Sequence, residues 1–263
     1  MKIIVCVKQV LDPRGIVVNR KAEKVFVNRE EYILDPASKA ALQVAVAVKA
    51  AVSESNGSTS PEIVAISLGP DRVDDALREA MAFGADRAIL LKDAAFDNAD
   101  ALVVANALAA AIRKVGAFDL ILLGVRSLDS GSGELAPRLA EALDLPQLIN
   151  VVSLDVKDNT ISAVCAASDS FVRVSANLSV VVSVDPVGDW SRLSQHPNGW
   201  RLMDAYKEWR VEVWSAADLG LSEDDLRPMA VKKEDAFPPE RQRGTRIKDA
   251  KELVAVLKRE RVI

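Results

Sequence analysis

Short apolar runs alternate with longer amphipathic stretches over residues 1 to about 150. The apolar runs are typical of strands buried on both faces of a sheet, and they are Lys2–Lys8, Glu62–Leu68, Arg87–Leu91 and Asp119–Leu123. The stretches between them have the composition and length of helices, and they are residues 39–52, 72–83 and 98–115. Strands joined by helices imply right-handed crossovers and parallel pairing. The pattern therefore predicts an α/β fold, with a mostly parallel sheet and helices on both faces.

The most informative stretch follows the fourth predicted strand. Asp119–Gly124 resembles a buried strand that ends in glycine, and Glu134–Leu143 resembles an amphipathic helix with leucines every four residues. The loop between them contains Gly131 and Gly133, which let backbone N–H groups approach a ligand without a Cβ in the way. A loop from the carboxyl end of a parallel strand to a helix N-terminus is a natural anion site. Nucleotide binding is one interpretation and a plain turn is the other, because neither common phosphate-loop motif is present.

Two shorter features interrupt the alternation. An excursion before residue 34 has two β-prone arms, Ile16–Asn19 and Lys24–Asn28, which predict a short hairpin. Ser38 precedes the first helical stretch and is expected to cap a helix from Lys39 to Val52.

The pattern changes after Pro146. Residues 151–177 contain short β-prone runs broken by polar turns, which predict a small β meander. Leu178–Val184 is apolar enough to return to the main sheet. The α/β domain, including this β excursion, is predicted to span residues 1–228.

The last part of the chain, residues 229–263, is predicted to be an extended C-terminal arm. Lys232–Arg246 is charged and carries prolines, and Lys248–Arg259 has the composition of a short final helix. Such a segment has little reason to fold on its own surface, so we expect it to pack on a partner subunit. A flexible tail is the alternative interpretation.

Composition narrows the class of protein. The chain has 263 residues, of which 49% are hydrophobic and 27% charged, as in a globular domain with a sizeable core. The net charge of −4 argues against a nucleic-acid partner, and no apolar run is long enough to predict a membrane span. Two cysteines, Cys6 and Cys165, in strand-like contexts favour a reducing cytoplasm.

Residues suited to acid–base or metal chemistry are few. The single histidine, His196, lies in a turn-like stretch, where a solvated side chain is the plain interpretation. No Cys/His cluster has metal-binding spacing, and no Gly-x-Ser-x-Gly motif is present. This inventory suits a cofactor-binding protein better than a hydrolase.

Several segments together resemble the β subunit of electron transfer flavoproteins, over almost the whole chain. They are Val5–Asp12, Leu34-Asp35-Pro36, Ser67-Leu68-Gly69-Pro70, Ala80–Ala88, Leu123–Asp129, Leu143–Gln147 and Phe237-Pro238-Pro239-Glu240-Arg241. The Gly-Pro and Gly-Ala-Asp-Arg elements match that family in order and spacing.

The resemblance implies a fold like that of adenine nucleotide hydrolases and a heterodimer with an α subunit. FAD is then held by, or shared with, the α subunit, and this chain holds AMP, or a second FAD as in electron-bifurcating members. The implied donors are flavin dehydrogenases, and the implied acceptor is a quinone oxidoreductase or similar protein. The chain is then an electron carrier subunit rather than an enzyme by itself.

Carried over position by position, the resemblance also implies the cofactor contacts, with no catalytic or metal-binding residue among them. They are Cys6, Asp35, Pro36, Ala37, Ser38, Leu68, Gly124, Val125, Arg126, Ser127, Leu128, Asp129, Ser130, Gly131, Ser132, Gly133, Glu134 and Leu135. We expect backbone N–H groups of the loop to bind the phosphates, with Arg126 as a candidate cation near them.

Two departures from the family pattern leave alternatives open. Glu134 replaces a neutral glutamine, which puts a negative charge near the expected phosphates, and Pro137 is shared with the bifurcating form. The segment Val184–Arg192 replaces the family's partner-recognition sequence. Aromatic residues between Trp190 and Trp209 alternate with basic ones, so this stretch is expected to dock the redox partner, with Trp190 and Arg192 as anchors. A cap over the local core is the alternative interpretation.

A universal-stress type of ATP-binding protein is a further alternative, because it shares the broad fold. That class usually has about 150 residues and a different glycine-rich phosphate loop. This chain has neither property.

Overall fold

The computed structural model describes residues 1–56, 60–188, 190, 193, 196–230, 237, 244 and 246–263. These residues form two compact units. The larger unit consists of Met1–Val17 and Phe26–Val231, and the smaller of Val18–Val25 and Lys232–Ile263.

Strands and helices are numbered along the chain. The strands are β1 (Lys2–Cys6), β2 (Gln9–Leu11), β3 (Ile16–Asn19), β4 (Lys24–Val27), β5 (Tyr32–Leu34), β6 (Glu62–Leu68), β7 (Arg87–Leu91), β8 (Leu120–Gly124), β9 (Gln147–Lys157), β10 (Thr160–Ala166), β11 (Phe171–Asn177), β12 (Val180–Val184) and β13 (Glu212–Trp214). The helices are α1 (Pro36–Asn56), α2 (Val73–Phe83), α3 (Ala101–Val115), α4 (Leu135–Leu143), α5 (Gly199–Lys207) and α6 (Ala250–Arg259).

A nine-stranded sheet organises the larger unit, in the order β11-β10-β9-β12-β8-β1-β6-β7-β13. Within this order, every neighbouring pair from β9 to the edge strand β13 is parallel. Strands β9, β10 and β11 form an antiparallel meander at the other edge. Strand β12 lies between β9 and β8, as predicted for the apolar run after the meander. The prediction of an α/β fold with a mostly parallel sheet is confirmed.

Both faces of the sheet are covered by helices because alternate side chains of each strand point to opposite faces. Ile3 and Val5 pack with residues of α1 and α2, whereas Ile4 and Cys6 pack with residues of α3 and α4. The central strands are therefore apolar at nearly every position.

The polarity of the sheet fixes where a ligand would bind. From the central strand β1 the chain adds β6 and β7 on one side, and then β8 and β12 on the other. The strand order reverses between β1 and β8, and the usual ligand position in such sheets lies beyond the carboxyl ends of the strands at that point.

Helix α1 begins earlier than predicted. It starts at Pro36 rather than Lys39, and the carboxylate of Asp35 accepts hydrogen bonds from the N–H groups of Ala37 and Ser38. Proline suits the first helical position because its fixed φ is helical and its missing N–H would have no partner there. The prediction that Ser38 caps this helix was wrong.

Smaller elements complete the described residues. Strands β3 and β4 pair as the predicted hairpin, and β2 pairs with β5. Helix α6 confirms the predicted final helix, and none of its residues is buried. Of the predicted arm Lys232–Arg246, only Phe237, Gly244 and Arg246 lie within the described residues. Among those residues, no helix is both long and apolar enough to cross a membrane.

Candidate functional site

The residues nominated from the sequence lie at the carboxyl edge of the parallel sheet. Cys6, Leu68 and Gly124 are the last residues of the neighbouring strands β1, β6 and β8. The segment Asp35–Ser38 opens α1, and the loop 125–134 joins β8 to α4. Segments far apart in the sequence thus meet at the strand-order reversal, at one edge of the sheet.

Asp35 connects three of these segments. Its side chain is buried, and its Oδ2 accepts hydrogen bonds from the N–H groups of Ala37 (3.0 Å) and Ser38 (3.2 Å). Its Oδ1 accepts a third bond from the N–H of Leu128 at 2.8 Å. The same carboxylate therefore caps α1 and fixes the middle of the loop after β8.

Gly124 permits the close approach of α1 to the end of β8. A methyl group at this position would lie 2.6 Å from the Cβ of Ala37 and 2.9 Å from the backbone nitrogen of Ser38. Any side chain would therefore collide with the first turn of α1. The glycine predicted to end the strand is required by packing.

Backbone N–H groups are available where the loop enters α4. Gly131 and Gly133 adopt left-handed φ angles of +63° and +69°, and Glu134 then has helical backbone angles. The N–H groups from Ser132 to Leu135 donate no hydrogen bond within the described part of the chain. Successive N–H groups at such a turn form an anion-binding concavity, and the helix N-terminus adds a favourable dipole.

The acidic side chains of the loop are neutralised by ion pairs. Lys8 Nζ lies 2.6 Å from Asp129 Oδ2, and Arg138 NH2 lies 2.8 Å from Glu134 Oε2. Partial burial alone would raise the pKa of Asp129, but hydrogen bonds from Lys8 and Ser127 and the charge of Lys8 together lower it below its usual value.

These pairs change the expected electrostatics. The negative charge of Glu134, expected to oppose phosphates, is paired with Arg138 of α4, four residues further along the chain. Arg126 is exposed and makes no hydrogen bond or ion pair with any residue that the structure describes. It therefore stays a candidate cation for a bound anion.

Cys6 has a buried thiol with no sign of activation. It is 5% exposed, and burial raises the pKa of its thiol to about 12. A protonated thiol is a poor nucleophile.

Sequence reasoning did not nominate Lys8 or Arg138, although both neutralise carboxylates of the loop. Arg138 could have been found, because a Glu and an Arg four residues apart at the start of a helix commonly pair. Lys8 gave no such signal, since its partner lies 121 residues further along the chain.

The segment proposed to dock a partner differs from expectation at Trp190. This side chain is only 9% exposed, and its indole N–H donates to the carbonyl oxygen of Asp185 at 2.7 Å, so it cannot be an exposed anchor. Arg192 lies outside the described residues. Among the described residues of this segment, the large hydrophobic side chains that are exposed lie instead on α5: Trp200 (77% exposed), Met203 and Tyr206.

Two arginines hold α5 in place. Arg78 of α2 donates to the carbonyl oxygens of Ala205 and Trp209, and Arg201 of α5 donates to those of Met81 and Ala85. The exposed side chains are therefore presented on an anchored helix.

Comparisons with known proteins agree with this architecture. The family model of the electron transfer flavoprotein domain matches residues 24–219. The electron transfer flavoprotein subunit beta of Bacillus subtilis is 29% identical, with 99% of this chain and 98% of that protein covered. Protein FixA of Rhizobium meliloti is 31% identical over 85% of this chain and 75% of its own length.

A third relative is the caffeyl-CoA reductase-Etf complex subunit CarD of Acetobacterium woodii. It is 29% identical, with 84% of this chain and 81% of that protein covered. The family model alone spans well over half of the chain. The chain therefore belongs to the electron transfer flavoprotein family, as an electron transfer subunit of the β and FixA type.

Proposed function

We propose that this chain is the β subunit of a heterodimeric electron transfer flavoprotein, and that it binds AMP as a structural cofactor at the carboxyl edge of its sheet. The carrying observation is that the N–H groups from Ser132 to Leu135 donate to no residue that the structure describes, and that they lie beside carboxylates that are already neutralised. Such a site fits an anion without an unpaired acidic side chain next to it. The same donors would also fit the pyrophosphate of a second FAD, which Pro137 favours through its likeness to bifurcating members.

Bound FAD would supply the redox chemistry, accepting electrons from a flavin dehydrogenase and releasing them to a quinone oxidoreductase or similar acceptor. The residues of this chain have a different task. Asp35 fixes the loop against α1, Gly124 allows the contact, and the N–H groups would bind phosphate. No residue of the site needs to transfer a proton.

The nucleotide is tested by denaturing the complex purified with its α subunit and identifying what is released. One AMP and one FAD per heterodimer support the proposal, whereas two FAD molecules and no AMP support the bifurcating alternative. Release of FAD alone, with no nucleotide attributable to this chain, would refute both. A second readout is AMP binding by the complex after the nucleotide has been removed.

We also propose that residues 229–263 form an arm that packs on the α subunit. Helix α6 supports this, because its apolar residues Leu253, Val254, Val256 and Leu257 share a helix that has no buried residue. Amphipathic helices are normally stabilised by packing of their apolar face. A chain that ends at residue 228 should lose its α subunit during purification but keep its far-UV circular dichroism; retention of the subunit would contradict this role.

Docking of the electron donor is proposed for the exposed face of α5. Trp200 and Tyr206 are of the types that commonly dominate interface energetics, and α5 is anchored by arginines. Replacing both by alanine should slow reduction by a flavin dehydrogenase, with FAD content and subunit assembly unchanged. Unchanged reduction would place docking elsewhere, and loss of the α subunit would assign this face to the heterodimer.

A cytoplasmic location completes the proposal. It is supported by Cys6 and Cys165, which are both free thiols.

A further inference from the structure

The loop Gly124–Leu135 is tied to the end of β1 by one ion pair, and the contacts of that pair indicate a role for Lys8 beyond the neutralisation of Asp129. Lys8 Nζ donates to Asp129 Oδ1 at 2.8 Å and lies 2.6 Å from Oδ2, and a longer contact of 3.4 Å reaches Ser127 Oγ. Lys8 lies two residues beyond Cys6, the last residue of β1, and its side chain reaches the loop that follows β8.

Both ends of this tie are well fixed. The N–H of Lys8 donates to Ser38 Oγ (3.1 Å), and its carbonyl oxygen accepts from the N–H of Asp35 (2.9 Å). At the other end, Asp129 Oδ1 accepts hydrogen bonds from Ser127 Oγ (2.6 Å) and from the N–H of Ser130 (2.7 Å). Asp129 therefore organises the turn immediately before Gly131, and Lys8 holds Asp129.

We propose that Lys8 is a positioning residue for the nucleotide, because it holds and neutralises Asp129 and so keeps the loop in a shape that accepts phosphate. The inference rests on the proposed nucleotide function. Lys8 acts through Asp129 rather than on the phosphate, since its ammonium group is already bound to that carboxylate. Without it, Asp129 would carry an unpaired negative charge into a site built for an anion.

The pair is about half exposed, with 45% of the Lys8 and 46% of the Asp129 side chain accessible. Exposed pairs of this kind contribute little to global stability. Loss of the pair should therefore leave the thermal midpoint of the complex nearly unchanged while it alters nucleotide binding. A purely structural role would change the thermal midpoint and the nucleotide affinity together.

A double-mutant cycle on the complex with the α subunit tests the proposal. The variants are Lys8→Met, Asp129→Asn and the double variant, and the probe is AMP, titrated by calorimetry after removal of bound nucleotide. When Asp129 is kept, Lys8→Met should weaken AMP binding by about fivefold to tenfold. In the Asp129→Asn background the same change should cost less than about twofold. Lys8→Arg should restore most of the affinity.

The Lys92–Asp71 pair provides a matched control. It is also exposed, and Lys92 follows β7 at the same edge of the sheet, away from the loop. Lys92→Met should leave AMP affinity unchanged. Equal losses for Lys8→Met in both backgrounds would show that Lys8 binds the phosphate itself and would overturn the proposal, as would no loss in either background.

Hydrogen exchange separates this inference from the proposed function. In the nucleotide-free complex, amides of residues 127–133 should exchange faster in Lys8→Met than in the wild type. If the wild type binds no AMP, the proposed ligand fails, and the exchange result still decides whether Lys8 holds the loop. Unchanged exchange would overturn the positioning role.

Discussion

Replacement of Asp35 by alanine should uncouple the nucleotide loop from the first helix. The change removes the cap of α1, which is typically worth about 1 kcal/mol. It also removes the charged acceptor of the Leu128 N–H, which is typically worth about 2 kcal/mol. Together these losses predict about 3 kcal/mol of destabilisation, or a fall in thermal midpoint of about 6 to 12 °C.

The same substitution should weaken AMP binding at least about tenfold, because the loop loses its fixed point at Leu128. Asp100→Ala is the matched control. Asp100 Oδ1 caps α3, and its Oδ2 accepts hydrogen bonds from the N–H groups of Met229 and Ala230. The alanine variant at this position therefore loses similar bonds far from the loop. We expect comparable destabilisation with unchanged AMP affinity.

Scanning calorimetry and AMP titration of both variants, each in complex with the α subunit, measure the two effects. If Asp35→Ala is destabilised but binds AMP normally, the loop is not positioned by this carboxylate. If both variants lose AMP affinity equally, the effect is one of general stability. Asp35→Asn should fall between wild type and alanine, because one oxygen acceptor remains.

Three further results are expected. Gly131→Val should abolish nucleotide retention because valine strongly disfavours the left-handed φ of +63° at that position, whereas Gly220→Val, at φ +65° and away from the loop, should retain it; equal retention would contradict the loop assignment. Alkylation at pH 8, followed by mass spectrometry, should modify Cys6 only after unfolding, since burial raises its pKa to about 12; rapid labelling in the folded complex would refute this. Partial burial, and then a neighbouring carboxylate, raise the pKa of Tyr206 to about 12, so its contribution to stability should be complete below pH 10 and be lost as pH rises through 12; a difference titration against Tyr206→Phe that gives a midpoint near 10 would contradict it.

The sheet and its helices could be predicted because their signals are local. Apolar runs and amphipathic stretches of the right length alternate, and the crossover rule then fixes parallel pairing. The start of α1 was misplaced because both Asp35 and Ser38 are good caps, and Pro36 at the first helical position favours the earlier one. Which of two polar residues near a helix start will cap it depends on the hydrogen-bond partners that each meets in the fold.

The candidate site was predictable in position but not in charge. A glycine loop after a parallel strand indicates an anion site, yet the neutralisation of Asp129 by Lys8 depends on contacts between distant segments. The prediction that Trp190 is an exposed anchor was wrong for a related reason. Residue type and polar neighbours suggested an exposed anchor, whereas the carbonyl oxygen of Asp185 gives the indole N–H an internal partner.

The contact between Gly124 and α1 has a consequence for sequence variation and design. A methyl group at this position would lie 2.7 Å from the backbone carbonyl carbon of Ala37 and 2.9 Å from the nitrogen of Ser38, so trimming Ala37 to glycine would not relieve the collision. Relief would require α1 to move as a body, which would draw Asp35 away from Leu128. No side-chain substitution at position 37 should therefore compensate for alanine at position 124. A library that randomises positions 37 and 124 should return glycine at 124 in every functional clone.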